Sequence, residues 1–222
     1  MLPCQLQPVQ LPPLTDLLAL LGIDLVLCAG CLRLLEGRDG VSPWAKWVAA
    51  LCFVVLWLPV GAARLPLLAY VRGISSDLSI TLVALACIGS CRRLLALSPV
   101  ARREKLALYG VISVAALFLY STALGWGDWD SYRSGWGSWG QWAALAALSL
   151  LCWIKGLRLL PMLVGLALLA WSADLMESGN LWDYLLDPWL AGVALFQCLN
   201  SAAKRVLSRP PFYNQRNKSC DR

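Results

Sequence analysis

Two stretches of the chain pair carboxylates with aromatic rings, and both have the composition of a ligand-binding or acid–base site. The first lies within a glycine-rich segment, residues 126–140, and the second lies nearer the C-terminus. Carboxylates accept hydrogen bonds from sugar hydroxyls while rings pack on the sugar's apolar face. Paired carboxylates also suit a hard divalent cation or acid–base catalysis. The candidate ligand-binding residues are Asp128, Trp129, Asp130, Arg133, Trp182, Asp183 and Asp187.

The same residues have a simpler explanation if the chain is embedded in a membrane. Trp and Tyr favour the lipid headgroup region, and acidic residues are scarce in basic cytoplasmic loops. No catalytic residue is assigned, since the chain has no histidine, no phosphate-binding glycine loop and no serine–histidine pair. Asp187 precedes Pro188, so it either caps the helix that follows or pairs with an arginine.

Asp24 is the strongest single polar signal, because it lies near the middle of a long apolar segment. A charge is costly there, and an intramembrane acid is a functional hypothesis by default. Cys28 and Cys31 share its helical face, and Cys87 and Cys91 lie at a comparable depth in another segment. Small neighbouring residues favour close helix packing for these cysteines. We therefore expect no metal site and no cofactor.

Composition determines which elements position these residues. Of the 222 residues, 59% are hydrophobic and 14% are charged, and the mean hydropathy is +0.63. A soluble domain carries about a quarter charged residues. The apolar segments lack the alternation of barrel strands, and a chain in lipid must satisfy its own backbone. The sequence therefore predicts an all-α, polytopic transmembrane helix bundle without a soluble domain.

The predicted transmembrane domain occupies residues 1–203, and a basic cytoplasmic tail occupies residues 204–222. Several segments are shorter than the roughly 20 residues of a full span, so their boundaries are approximate. A six-span alternative omits the first segment. The seven predicted spans lie near residues 14–32, 47–63, 78–91, 106–125, 141–154, 159–173 and 184–203.

Basic residues predict the orientation. If residues 92–105 are cytoplasmic and seven spans alternate, sixteen Lys and Arg residues lie inside. Three lie outside, namely Arg64, Arg72 and Arg133. The N-terminus is then external and the C-terminus is cytoplasmic. The basic residues flank apolar segments, so topology explains them and no nucleic-acid partner is expected.

Three functions are compatible with these patterns. We expect an integral membrane protein of the bacterial cell envelope, in the inner membrane, acting as a non-enzymatic component or accessory subunit. Its partners would be membrane lipids and a membrane protein or a second copy of the chain. The alternatives are an outward-facing transferase or hydrolase acting on a lipid-linked glycan, and a small transporter that uses Asp24.

The outward-facing loops also carry a geometric prediction. Short connectors make consecutive helices neighbours, so both acidic–aromatic stretches should meet around one shallow pocket. Like charges gathered there require compensation. We therefore expect a salt bridge from Arg64, Arg72 or Arg133 to an acid of 128–130 or 183–187. We also expect Trp129 or Trp182 to line the pocket.

Overall fold

The computed structural model describes residues 13–37 and 40–207, and these ranges are predominantly helical. Most of the predicted basic tail, from residue 208 onward, lies outside the described residues, as do residues 1–12. A short 3₁₀ helix covers Ser131–Trp136, and a two-stranded antiparallel ribbon pairs β1 (Pro59–Val60) with β2 (Leu65–Pro66). The α-helices are α1 Leu14–Leu34, α2 Pro43–Val55, α3 Leu67–Ser75, α4 Ile80–Leu94, α5 Arg102–Ala123, α6 Trp139–Ile154, α7 Leu159–Ser172, α8 Leu181–Leu185 and α9 Pro188–Leu207.

The all-α prediction is confirmed, and every predicted span overlaps a helix. By length and composition, two helices of the described chain are able to cross a membrane: α1, with 21 residues, and α5, with 22. Helices α2, α6 and α7 are apolar but have 13, 16 and 14 residues. At about 1.5 Å per residue, 13 residues reach roughly 20 Å of a hydrocarbon layer about 30 Å thick. Helix length therefore does not support seven complete spans.

The predicted span 47–63 is wrong in its second half. Helix α2 ends at Val55, and the chain then turns into the ribbon. Pro59 lacks a backbone N–H and its ring clashes with the preceding helical turn, so the helix cannot continue through it. Tyr70 of α3 donates a hydrogen bond from its hydroxyl to the Val60 carbonyl at 3.2 Å, which fixes the ribbon against the next helix.

The helices pack in a connected series. Helix α1 lies against α2, α3 and α4, while α7 contacts α4, α5, α6 and α8, and α5 packs along α9. Gly22 permits the close approach of α1 and α4, because a Cβ added there would lie 3.1 Å from a methyl of Val83. Helices α4 and α7 thus join the N-terminal helices to the C-terminal ones.

Glu104, in the first turn of α5, anchors the start of α7. Its two carboxylate oxygens accept hydrogen bonds from the backbone N–H groups of Arg158 at 3.1 Å and Leu159 at 3.2 Å. The first amides of a helix have no partner within the helix, and its positive N-terminal end favours an anion. One side chain therefore sets the relative positions of two helix ends.

Candidate functional site

The two acidic–aromatic stretches meet at one end of the bundle. Asn180 is completely buried between them: its amide donates to the Tyr132 carbonyl at 3.0 Å, and its oxygen accepts from the Trp182 N–H at 2.9 Å. The Trp182 indole N–H lies 3.1 Å from both the Ser131 carbonyl and the Ser134 hydroxyl. These bonds join residues 131–136 and 178–187 into one unit, which we call the interlock.

Gly135 shows how tightly the interlock is packed. A Cβ placed on it would lie 1.7 Å from the Asn180 side-chain oxygen and 2.8 Å from the Trp182 ring. No side chain fits at such distances without displacing the buried amide. The two loops therefore meet, as predicted, and they are joined by backbone groups, neutral side chains and the Asp183 carboxylate.

Asp183 is committed to bonds within the interlock. Its carboxylate accepts from the Tyr132 hydroxyl at 2.8 Å and from the Ser178 hydroxyl. Burial and the hydrogen bond to this carboxylate raise the pKa of Tyr132 to about 12. The phenol therefore stays protonated as a donor, and Asp183 acts as its acceptor.

Asp187 serves two helices at once and is only 4% exposed. One oxygen accepts from the Leu190 N–H at 2.7 Å, which caps α9. The other accepts from the backbone N–H of Ser79 at 3.0 Å and from its hydroxyl at 2.6 Å. The same hydroxyl accepts from Leu82 N–H and so caps α4. Of the two roles predicted for Asp187, capping is the one observed.

The other predicted site residues lie on the exterior of the interlock. Asp128, Asp130 and Arg133 are exposed, although Asp130 accepts a bond from the Tyr132 N–H at 2.9 Å. Trp129 is exposed too, and its ring packs on Phe118 with centroids 5.5 Å apart. Trp182 lies partly buried inside the interlock. The expected pocket shared by all four acids is therefore not formed.

The expected salt bridge was wrong in its partners. Arg72 pairs with Asp16 and Asp77, each at 2.6 Å, and with Glu177 at 3.2 Å. These bonds, with that to Asp77 foremost, raise the pKa of Arg72 above its ordinary value. Across the described residues, Arg64 and Arg133 make no ion pair. We call Asp16, Arg72, Asp77 and Glu177 the Arg72 cluster; it holds three carboxylates and one guanidinium.

Asp24 occupies a separate polar site between α1 and α2. It is completely buried, and one oxygen accepts from the Trp57 indole N–H at 2.7 Å. The other lies 3.4 Å from the Cys28 sulfur, which is also 3.6 Å from the Ala49 carbonyl. Both donors to the carboxyl are neutral, so nothing in these bonds compensates a negative charge.

The cysteines pack within and between helices. All seven described cysteines are free thiols. Cys28 turns toward α2 and interacts with Cys52, while Cys87 neighbours Cys91 within α4. Among residues 13–37 and 40–207, no three His, Cys, Asp or Glu side chains are grouped as metal ligands.

Comparison with known proteins adds no family to this geometry. No protein-family model, no curated protein and no solved structure matches the chain. Its function must therefore be argued from its own residues.

Proposed function

We propose that this protein is a non-enzymatic integral membrane component of a bacterial cell envelope, and that a partner protein docks on the exposed residues around the interlock. These residues, which we call the rim, are Trp126, Asp128, Trp129, Asp130, Arg133 and Trp139. The observation that carries the proposal is that the predicted site residues fall into two groups, one bonded within the fold and one exposed. Asp183, Asp187 and Trp182 are held in bonds within the fold, whereas Asp128, Trp129, Asp130 and Arg133 stay exposed.

A membrane location is supported by the lengths of α1 and α5 and by the apolar exterior. In the proposed arrangement the shorter apolar helices lie in the bilayer beside these two, with α2 against α1, α7 against α5 and α6 against α7. The outward face of α2 carries exposed Trp47, Leu51 and Val54, spaced three and four residues apart as one helical stripe. Such a stripe suits contact with lipid. The basic residues favour an external N-terminus and a cytoplasmic C-terminus in an inner membrane.

The rim has the composition of a protein-binding surface. Exposed indoles flank the 3₁₀ helix on both sides, with Trp126 at 79% and Trp139 at 89% exposure. Trp is enriched among residues that dominate binding energy, and a rigid support lowers the entropy cost of binding. The interlock supplies that support.

The bonds of Asp183 and Asp187 count against the glycan-processing alternative. A general acid or base must be able to reach the substrate's proton, and each of these carboxylates accepts hydrogen bonds that hold the fold. Asp24 favours the transporter as the second candidate, since a buried carboxyl with only neutral donors is a protonatable group inside the bundle. Asp24→Asn should abolish uptake if that candidate is correct.

A test of the rim uses crosslinking in native membranes. Trp129→Ala combined with Trp139→Ala should abolish a crosslinked partner that the wild type captures. Trp153→Ala, an exposed indole at the opposite end of α6, should leave it unchanged. Equal capture by all three proteins would contradict the proposed docking surface.

The topology has its own test. Asp128→Cys, in a background without other cysteines, places a thiol at an exposed position of the rim; Ser131 is completely buried and unsuitable. An impermeant thiol reagent should label it in intact cells. Labelling only after the cells are opened would mean that the rim faces the cytoplasm. That result would contradict both the proposed orientation and the external docking site.

A further inference from the structure

An apolar groove runs between α1, α4 and α7 and ends beside the Arg72 cluster. We propose that this groove holds one acyl chain of a phospholipid whose headgroup carries a primary ammonium, and that the ammonium sits against the carboxylates of the cluster. The inference rests on the proposed membrane location and adds a specific lipid partner to it.

Two neighbouring cavities of about 150 and 340 Å³ lie along the groove. Both cavities are lined by Ile80, Val83 and Leu175, so they share one wall. Ala19 and Ala84 leave room between the helices because their side chains are small. On the open side Leu169 is 67% exposed, so a chain in the surrounding bilayer would have lateral access.

The polar end of the groove is defined by two residues of the cluster. Asp77 is the one acidic residue of the groove lining, and it also bonds to Arg72. Glu177 directly follows Leu175 and Met176, which line the same cavity. The chain of an amphipathic molecule in the groove would therefore place its head at the Arg72 cluster.

The net charge of the Arg72 cluster determines which lipid headgroup it prefers. Three carboxylates face one guanidinium, so the cluster has an excess of two negative charges when all are ionised. Glu177 makes the longest of the three bonds to Arg72 and is 59% exposed, so it has capacity for another donor.

A primary ammonium supplies three N–H donors and one positive charge, which suits neighbouring carboxylates. A quaternary ammonium has the charge without the donors. A headgroup without an amine brings only further negative charge. The cluster should therefore prefer phosphatidylethanolamine over phosphatidylcholine and phosphatidylglycerol.

Native mass spectrometry of the full-length protein in detergent, with these three lipids carrying identical acyl chains, tests the selection. Phosphatidylethanolamine should be retained about two- to fivefold more than either competitor, the range expected for one exposed charge pair. Equal retention of the three lipids would mean ordinary surface lipid and would overturn the proposal. Preferential retention of phosphatidylglycerol would mean that Arg72 selects an anion, and would also overturn it.

Two substitutions test the groove itself. Ala84→Leu and Ala84→Phe each add volume to the groove between α4 and α7 and should abolish lipid retention in a variant that keeps the wild-type unfolding temperature. The matched control Val114→Phe adds the same ring to an exposed position on α5 and should retain the lipid. Retention by both folded groove variants would contradict the site.

A substitution at the polar end tests the headgroup. Glu177→Gln reduces the excess negative charge of the Arg72 cluster from two to one and should lower the preference for phosphatidylethanolamine over phosphatidylglycerol, while acyl-chain retention persists. Asp128→Asn removes an exposed acid of the rim and should leave the preference unchanged. An equal effect of Glu177→Gln and Asp128→Asn would mean that overall charge, and not the Arg72 cluster, sets the preference, and would contradict the headgroup site. These readouts are made in detergent, so they are separable from failure of the docking rim or of the orientation.

Discussion

Asp187 and Asp24 are almost equally hidden from solvent, yet they are bonded in opposite ways. Asp187 lies at the start of α9 and accepts two backbone N–H groups and a hydroxyl from two helix N-termini. Asp24 lies in the middle of α1 and is bonded by an indole and a thiol. The positive end of a helix favours a carboxylate, whereas the middle of a helix offers no such field.

The difference separates an acid that the fold needs from one that it tolerates. Buried backbone amides must have an acceptor, so the N-terminal ends of α4 and α9 depend on Asp187. An indole and a thiol are side chains, and each can be replaced together with its acceptor. A buried acid in an apolar chain is therefore a functional candidate only when the backbone does not require it, which describes Asp24 better than Asp187.

The largest expected effect follows from removing the acceptor that α4 and α9 share. Asp187→Ala leaves the N–H groups of Ser79 and Leu190 without a partner and should lower the free energy of unfolding by about 3 kcal/mol. Denaturant unfolding in detergent micelles measures the change. Asp128→Ala, at an exposed position, should cost less than about 0.5 kcal/mol. Similar losses of stability in the two variants would contradict the claim that the fold requires Asp187 as an acceptor.

Gly135→Ala tests whether the interlock is rigid. The new methyl collides with the Asn180 side chain, so we expect a loss of about 2 kcal/mol and separation of the two loops. Gly140→Ala is the control, since its Cβ would meet only the Ser138 hydroxyl at 3.6 Å and alanine favours a helix. Thermal unfolding compares the pair. Wild-type stability in Gly135→Ala would show that the loops yield easily.

Asp24→Asn should have a smaller effect on stability, about 1 kcal/mol. The amide oxygen can still accept from Trp57, and only the weak bond from the Cys28 thiol is lost. The same unfolding measurement applies. A loss as large as that of Asp187→Ala would mean that the negative charge itself holds α1 and α2 together, and the contrast between the two acids would fail.

Alkaline pH has the smallest and most specific expected effect on stability, and it acts through Tyr132. An unfolded Tyr ionises near pH 10, but folded Tyr132 keeps its proton up to about 12. The unfolded state therefore releases its proton first, and the stability contributed by this phenol is complete below about pH 10 and lost as pH rises through about 12. The stability difference between wild type and Tyr132→Phe should shrink over that interval. A difference independent of pH would contradict the bond to Asp183.

The all-α class and the approximate helix positions could be predicted because apolar runs bounded by charges have few stable alternatives in lipid. The ends of the helices are harder to predict from the sequence. The run 47–63 stays apolar through Pro59, so hydropathy alone does not reveal the ribbon. The last predicted span, 184–203, likewise conceals the break between α8 and α9, where Asp187 accepts bonds from α4, an element 108 residues away in sequence.

Individual polar partners were the least predictable. The capping role of Asp187 follows from its place before a proline, but its bond to Ser79 depends on tertiary packing. The sequence predicts acids of 128–130 or 183–187 as partners of Arg72, whereas its observed partner Asp16 lies within the first predicted span. Asn180 is uncharged, so a search for charged groups does not find it; the signal that the sequence offers is its position just before α8, where asparagine favours a helix cap.

The bond between Ser79 and Asp187 has a consequence for synthesis. During translation, the start of α4 is made 108 residues before the carboxylate that completes it. At about 5–20 residues per second, roughly 5–20 s separate the two. Until then the Ser79 amide lacks its native acceptor, so the start of α4 stays incomplete while α5 to α8 are made. The carboxylate just before α9 therefore completes a helix from the first half of the described chain.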